Sequence, residues 1–262
     1  MNLIFEKYQG TGNDFVMIDN RNIGLTGKEE VLYAGLCDRR FGVGADGVIL
    51  INKHDQYDFE MIYINADGRE GSMCGNGGRC AVAFASKLGL FEGGCSFLAV
   101  DGVHTGSIEG DIVALGMIDT VLPVERAGGW YLNTGSPHHL EWVQQVAKHD
   151  VVTEGKRLRW HDNYAPGGTN VNFIEELANR SIKVRTYERG VEAETYSCGT
   201  GVTAAAMLYA AEKLTHGKHQ IKVETSGGNL EVSFYLDAQG FNRVMLLGPA
   251  KQVFLGSILV SF

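Results

Sequence analysis

Two cysteines with matching surroundings are the feature of this 262-residue chain that most directly implies chemistry. Cys74-Gly-Asn-Gly77 and Cys198-Gly-Thr-Gly201 each lead into a run of small and apolar residues with helical character, Arg79–Leu88 and Val202–Leu214. The two cysteines lie 124 residues apart, close to half the chain. Tyr63-Ile-Asn65 and Tyr187-Glu-Arg189 stand equally far upstream of them, and Lys87-Leu88 and Lys213-Leu214 close the two helical runs. A cysteine just ahead of a helix meets amides that have no acceptor within the helix, at the positive end of its dipole. A thiolate is stabilised there, and the glycines let backbone N–H groups approach a carboxylate or phosphate.

If two such helix ends converge on one small molecule, a sulfur stands on each face of an α-carbon. One thiolate can then remove the α-proton while the opposite thiol returns another, and the amides stabilise the enolate-like charge that develops. The bland reading of each cysteine alone is a small core residue; the duplication argues against it. No metal is expected, because Cys74 and Cys80 with His138-His139 elsewhere match no zinc spacing. Gly75-Asn-Gly-Gly78 matches neither the dinucleotide fingerprint nor a Walker loop. Cys37 and Cys95 have no partner pattern and are expected to be buried and inert.

The elements that must position these groups are mostly strands. Leu3–Tyr8, Asp14–Asp19, Val48–Asn52, Asp58–Asn65, Phe97–Asp101 and Ile112–Ile118 read as strands in the first half. In the second half the strand-like segments are Asn172–Glu176, Ile182–Glu188, Gln220–Thr225, Leu230–Leu236, Arg243–Leu247 and Val253–Val260. Lys28–Arg39 reads as an amphipathic surface helix capped by Thr26. The two runs after the cysteines are apolar or small on nearly every face and must be buried all round. The economical arrangement is a curved sheet wrapped around a helix, occurring twice, with a boundary near residues 115–120. A weaker echo relates Gly12-Asn-Asp-Phe15 to Thr169-Asn-Val-Asn-Phe173.

Composition narrows the partners. Glycine is abundant (35 residues), but only 4 prolines and 44% hydrophobic residues exclude a disordered or collagen-like chain. A net charge of −8 argues against a nucleic-acid binder, which needs a basic stripe. No apolar run reaches the length of a membrane span, and the first residues lack the order of a signal peptide. Five cysteines at irregular spacing suit a reducing cytoplasm better than a disulfide framework.

At this point the sequence resembles the diaminopimelate epimerase family over essentially its whole length. The resemblance rests on Gly10-Thr-Gly-Asn-Asp-Phe15, Asn65-Ala-Asp-Gly68, Met73-Cys-Gly-Asn-Gly-Gly-Arg-Cys80, Thr169-Asn-Val-Asn-Phe173, Tyr187-Glu-Arg-Gly190 and Ser197-Cys-Gly-Thr-Gly201. It implies an α/β (α+β) fold of two pseudo-symmetric domains, each a curved, mostly antiparallel sheet around a central helix. The first would span 1–116 plus a C-terminal strand at 250–262, the second 117–249.

The resemblance further implies interconversion of LL- and meso-diaminopimelate for lysine and peptidoglycan precursors, with no cofactor and no metal, by a homodimer. It makes Cys74 and Cys198 the acid/base thiols. Backbone amides of Gly75, Asn76, Gly199 and Thr200 would hold the reacting carboxylate. Asn13, Asn65, Asn170, Glu188 and Arg189 would read the rest of the substrate, while His138 and Glu188 tune the thiols. A racemase of another amino acid and a non-catalytic amino-acid-binding protein are the rival readings. Two departures from the family fall in the substrate shell: Ser136 where many members have Asn, and Gly47 where many have Gln.

Overall fold

The computed structural model describes residues 1–260. The chain divides into two compact units, Met1–Leu115 with Gly248–Phe262, and Gly116–Leu247. The last two positions of the anticipated C-terminal strand, 261 and 262, lie outside the described residues. No helix among the described residues is long and apolar enough to cross a membrane.

The first unit contains β1 (Asn2–Gly10), β2 (Asn13–Asp19), α1 (Glu30–Cys37), β3 (Gly47–Asn52), β4 (Phe59–Asn65), α2 (Gly75–Lys87), β5 (Gly94–Ala99), β6 (Gly102–Glu109) and β7 (Ile112–Gly116). From β1 to β7 successive neighbours pair antiparallel, parallel, antiparallel, parallel, antiparallel and antiparallel. α2 packs against β1, β2, β3, β4 and β6, so this sheet curls around it. Every residue from Gly75 to Ala85 is buried, as a helix with no polar face requires.

The second unit contains β8 (Val124–Arg126), β9 (Gly129–Asn133), β10 (Pro137–Trp142), α3 (Val151–Arg159), β11 (Asn170–Leu177), β12 (Ser181–Glu188) and β13 (Ala193–Thr195). It continues with α4 (Gly199–Lys213), β14 (Gly217–Thr225), β15 (Gly228–Leu236) and β16 (Phe241–Pro249). Along β9, β10, β11, β12, β14, β15 and β16 the neighbours again pair antiparallel, parallel, antiparallel, parallel, antiparallel and antiparallel. α4 is the buried centre, against six of these strands. The chain ends in β17 (Lys251–Leu259), which pairs antiparallel with β1 in the first unit.

The repeated order of directions identifies a duplicated unit, independently of sequence. Parallel neighbours need a crossover connection. All four parallel junctions have a helix: α1 between β2 and β3, α2 between β4 and β5, α3 between β10 and β11, and α4 between β12 and β14.

Two local expectations change. Thr26 does not cap α1, which starts at Glu30 with Glu29 in the capping place. Instead the Glu29 carboxylate accepts from the Thr26 N–H, the Thr26 hydroxyl and the Tyr33 hydroxyl. The echo between Gly12–Phe15 and Thr169–Phe173 does not join equivalent places, since β2 matches β10 and β11 matches β3. The central helices begin at Gly75 and Gly199, directly after the cysteines as anticipated, each cysteine being the N-cap residue.

Candidate active site

Cys74 and Cys198 both have extended backbone, with φ/ψ of −101/129° and −115/110°, and the helix starts at the next residue in each case. Their carbonyls accept the first helical bonds, from Gly78 N–H at 2.7 Å and Val202 N–H at 2.8 Å. Neither thiol makes a side-chain cap bond, and neither cysteine is in a disulfide. Helix geometry gives the amides of the first turn no acceptor within the helix, so the backbone of Gly75–Gly77 and Gly199–Gly201 has the character of an anion-binding end beside each cysteine. The other three thiols lie deeper. Burial pushes Cys37 up to about 11 and Cys80 and Cys95 up to about 12, values that keep them protonated near neutrality.

In the first unit the structure joins two of the anticipated substrate residues. Asn76 Nδ2 donates to Asn13 Oδ1 at 2.7 Å, and Asn13 Nδ2 donates to Asp46 at 2.8 Å. Asp46 and Asp14 are both held by Arg39, and Asp14 also by Lys7. These cations hold the Asp14 carboxyl well below the usual range, at about 2. Asn65 ends β4, half-buried, in the turn that returns to Gly71. Gly47 has no room for a side chain: a Cβ there would lie 2.6 Å from the Tyr63 ring and 2.5 Å from the Ile64 carbonyl oxygen. Tyr63 therefore occupies the space that a larger residue at 47 would need.

In the second unit Asn170 is buried and largely committed to the protein. Its Nδ2 donates to Ser136 Oγ and the Pro137 carbonyl, both at 2.9 Å, and its Oδ1 accepts from Arg189 N–H at 2.8 Å. Ser136 thus serves as an acceptor for Asn170, leaving its own proton to point elsewhere. Glu188 ends β12 and accepts from Thr195 Oγ1 at 2.9 Å. Arg189, the next residue, is exposed. Thr200 lies 3.5 Å from Cys198 Sγ through its hydroxyl, and its carbonyl accepts from Thr134 at 2.8 Å.

His138 is fully buried on β10. Thr186 donates to Asn172 Oδ1 at 2.9 Å, which turns the Asn172 amide nitrogen toward the His139 carbonyl and toward His138 Nδ1 at 3.1 Å. Nδ1 is then the acceptor, and Nε2 carries the proton with no partner among the described residues. Burial, aided by the charge of Arg189, pushes His138 down to about 3, so the ring is neutral.

The sign for stability follows. Between its ordinary value near ~6.5 and about 3, the unfolded chain binds a proton at His138 that the folded chain refuses, so stability falls as pH drops through that window. Urea midpoints of wild type and His138→Gln at pH 7 and pH 5 measure this. The wild type should lose about 2 kcal/mol more than the variant; equal losses would refute a neutral His138.

Sequence reasoning missed Arg79, Thr11 and Asn172. Arg79 did carry a signal, being one charged residue in the otherwise small and apolar first half of a buried helix.

Against this geometry stand the known proteins. The diaminopimelate epimerase family model matches residues 5–105 and 130–253. A diaminopimelate epimerase of Flavobacterium psychrophilum is 46% identical over 249 residues, covering 95% of this chain and 97% of its own length. One from Chlorobaculum tepidum is 41% identical over 261 residues, covering 95% of this chain and 98% of its own.

Solved structures share the fold at low identity. A Bacillus anthracis phenazine biosynthesis protein of the PhzF family has a TM-score of 0.75 at 15% identity, over 99% of this chain and 100% of that one. A hydroxyproline epimerase from Agrobacterium vitis with bound trans-4-hydroxy-L-proline has a TM-score of 0.69 at 15% identity, over 98% and 91%.

Proposed function

The chain belongs to the diaminopimelate epimerase family, and on that premise we propose that Cys74 and Cys198 interconvert LL- and meso-2,6-diaminopimelate as a cofactor-independent acid/base pair. It is an isomerase acting on diaminopimelate, the meso product serving lysine synthesis. The observation that carries the two-thiol reading is the pair of N-cap cysteines at equivalent places of a duplicated unit.

In the forward step one thiolate takes the α-proton, and the electron pair moves into the α-carboxylate as an enediolate. The second thiol donates its proton to the opposite face of the same carbon and is left as the thiolate. Atoms and charge balance, and the enzyme ends with its two sulfurs exchanged in protonation. The backbone amides of Gly75, Asn76, Gly199 and Thr200 stabilise the carboxylate most when its charge is greatest.

Neutral His138 acts as an N–H donor rather than as a cation, which is how it influences the thiols. Asn13, oriented by Asn76, Asn65 and the Glu188–Arg189 pair read the distal amino-acid end, with Arg189 on its carboxylate and Glu188 on its ammonium. Asn170 contributes by fixing the Arg189 backbone and Ser136. The test is conversion of LL-diaminopimelate to the meso isomer by the purified protein, with proline and hydroxyproline as comparison substrates. Turnover of proline without turnover of diaminopimelate would overturn the substrate.

The working form is a homodimer. β17 carries exposed Val253, Leu255 and Leu259, beside exposed Ile4 on β1, an apolar surface suited to a second copy. Sedimentation velocity should give twice the 28.5 kDa chain mass; a monomer at assay concentration would contradict it. Two catalytic thiols must stay reduced, which favours the cytoplasm, where cell fractionation should find the enzyme.

A further inference from the structure

We infer that Arg79 is a positioning residue whose buried charge makes Cys74, rather than Cys198, the ionised thiol of the resting enzyme. This deepens the reading above, in that it takes both thiols to be the reacting groups. Arg79 is fully buried. Its Nη2 donates to Asn76 Oδ1 at 2.9 Å and Thr11 Oγ1 at 3.0 Å, its Nη1 donates to the Gly75 carbonyl at 3.3 Å, and its Nε has no partner among the described residues. All of these acceptors are neutral. A cation in the first turns of a helix also adds to the positive end of the dipole instead of opposing it.

Burying a charge without a counter-ion is costly. Such a charge at a site of this kind implies an anion that forms or arrives during function. Cys80 adjoins Arg79 in the chain, and Cys74 adjoins Gly75, whose carbonyl Arg79 holds, so both thiols feel its charge. Cys80, pushed up to about 12, keeps its proton, which leaves Cys74.

The surroundings are shaped to hold the guanidinium. A Cβ at Gly10 would sit 3.4 Å from Arg79 Nη2 and 3.1 Å from the Asn76 carbonyl oxygen. Thr11 adopts φ +48°, a left-handed conformation rare for a β-branched residue, and its hydroxyl donates to Asn76 Oδ1 while accepting from Arg79. With Oδ1 occupied from both sides, the Asn76 amide nitrogen faces Asn13. Arg79 therefore sets the direction of both amides as well as the local charge.

The other charged groups on strands packed against α2 have partners of their own or are exposed, and Asp19 of β2 pairs with Arg21. On β1, Glu6 pairs with Lys87 and Lys7 with Asp14 of β2, while burial raises Tyr8 above its ordinary value and keeps it neutral. On β4, Glu60 accepts from Asn52, and on β6, His104 meets Asp101; Glu109, at the end of β6, is exposed.

The equivalent position in the second unit, 124 residues on, is Thr203. Its hydroxyl donates to the Gly199 carbonyl at 2.9 Å, tethering the same point of the helix without a charge. Near that end His138 is neutral, Glu188 is half-buried against Thr195, and Arg189 is exposed, where water screens it.

The test is the rate of iodoacetamide alkylation of each cysteine from about pH 5 to 10, resolved by peptide mass mapping on the intact enzyme. In the wild type, Cys74 should gain reactivity at lower pH than Cys198. In Arg79→Gln, the Cys74 rate at pH 7 should fall about tenfold while Cys198 stays within about twofold, and Arg79→Lys should restore most of the loss. Cys198 titrating at or below Cys74 in the wild type would overturn the inference, and that comparison requires no variant to fold. An unchanged Cys74 profile in folded Arg79→Gln would overturn it as well. Alkylation does not depend on turnover, so absence of epimerase activity would count against the functional reading alone.

Discussion

Cys74→Ala and Cys198→Ala each lose about 10³-fold or more in kcat for LL-to-meso conversion, at the upper end of what positioned acid/base groups supply. In the proposed mechanism the two thiols act on one carbon in a single inversion, so removing either would leave that inversion without a base or without an acid. Their effects are then not additive, and the double variant should be scarcely slower than either single one. The losses should be chemical rather than structural. Neither side chain caps its helix, and Cys74 is only half-buried, so melting temperatures should stay close to the wild type. Steady-state kinetics beside thermal melts check both halves. A single variant within tenfold of the wild type would remove that cysteine from the mechanism.

Gly201→Ala should be nearly as damaging, although it removes no reactive group. A Cβ at Gly201 would fall 2.3 Å from Asn172 Oδ1 and 3.3 Å from the His138 ring. The Asn172 amide cannot simply swing aside, since it is buried and bonded to Thr186, the His139 carbonyl and His138. Something must shift by about an ångström in the first turn of α4, the proposed seat of the carboxylate, and displacements of that size cost about 10²-fold in rate. Overpacking adds about 1–3 kcal/mol of lost stability.

Gly77 is the matched control, in the same place of the first unit. Its Cβ would meet the Ile49 side-chain terminus at 3.2 Å and Met61 at 3.6 Å, atoms that can move. Gly77→Ala should therefore keep most of its activity. Equal kcat values for the two alanine variants would show that Asn172 and His138 do not shape the site.

Much of the fold was legible because its strands announce themselves by apolar runs, as Leu3–Tyr8 and Val48–Asn52 do, and each anticipated strand overlaps an observed one. Segments whose pattern is masked by local detail were missed. β10 opens on Pro137 and carries two histidines. α3 holds Gly155 at mid-helix, a residue that usually weakens a helix. Gly155 is there because a Cβ would meet the Tyr187 side chain at 2.4 Å, a constraint from another strand. The Asp150 cap on Thr153 N–H was the available signal for that helix.

The site divides along the same line. The matched placement of the two cysteines could be found because a repeat within the chain supplied its own comparison. The buried polar groups near the two helix starts could not, because their partners are distant in sequence: Arg79 reaches Thr11, and Asn172 reaches His138. Only the folded chain brings those side chains within a hydrogen bond.

The central claim, inversion at one carbon by two thiols of opposite protonation, is tested most directly by running the wild-type reaction on LL-diaminopimelate in D₂O, without added cofactor, and stopping it early. The acid thiol has exchanged with solvent before substrate binds, so the meso product should carry one deuterium at the inverted carbon, while recovered LL substrate remains almost unlabelled. Meso product that keeps its original proton, or label appearing equally in recovered substrate, would mean that one base serves both faces and would contradict the account.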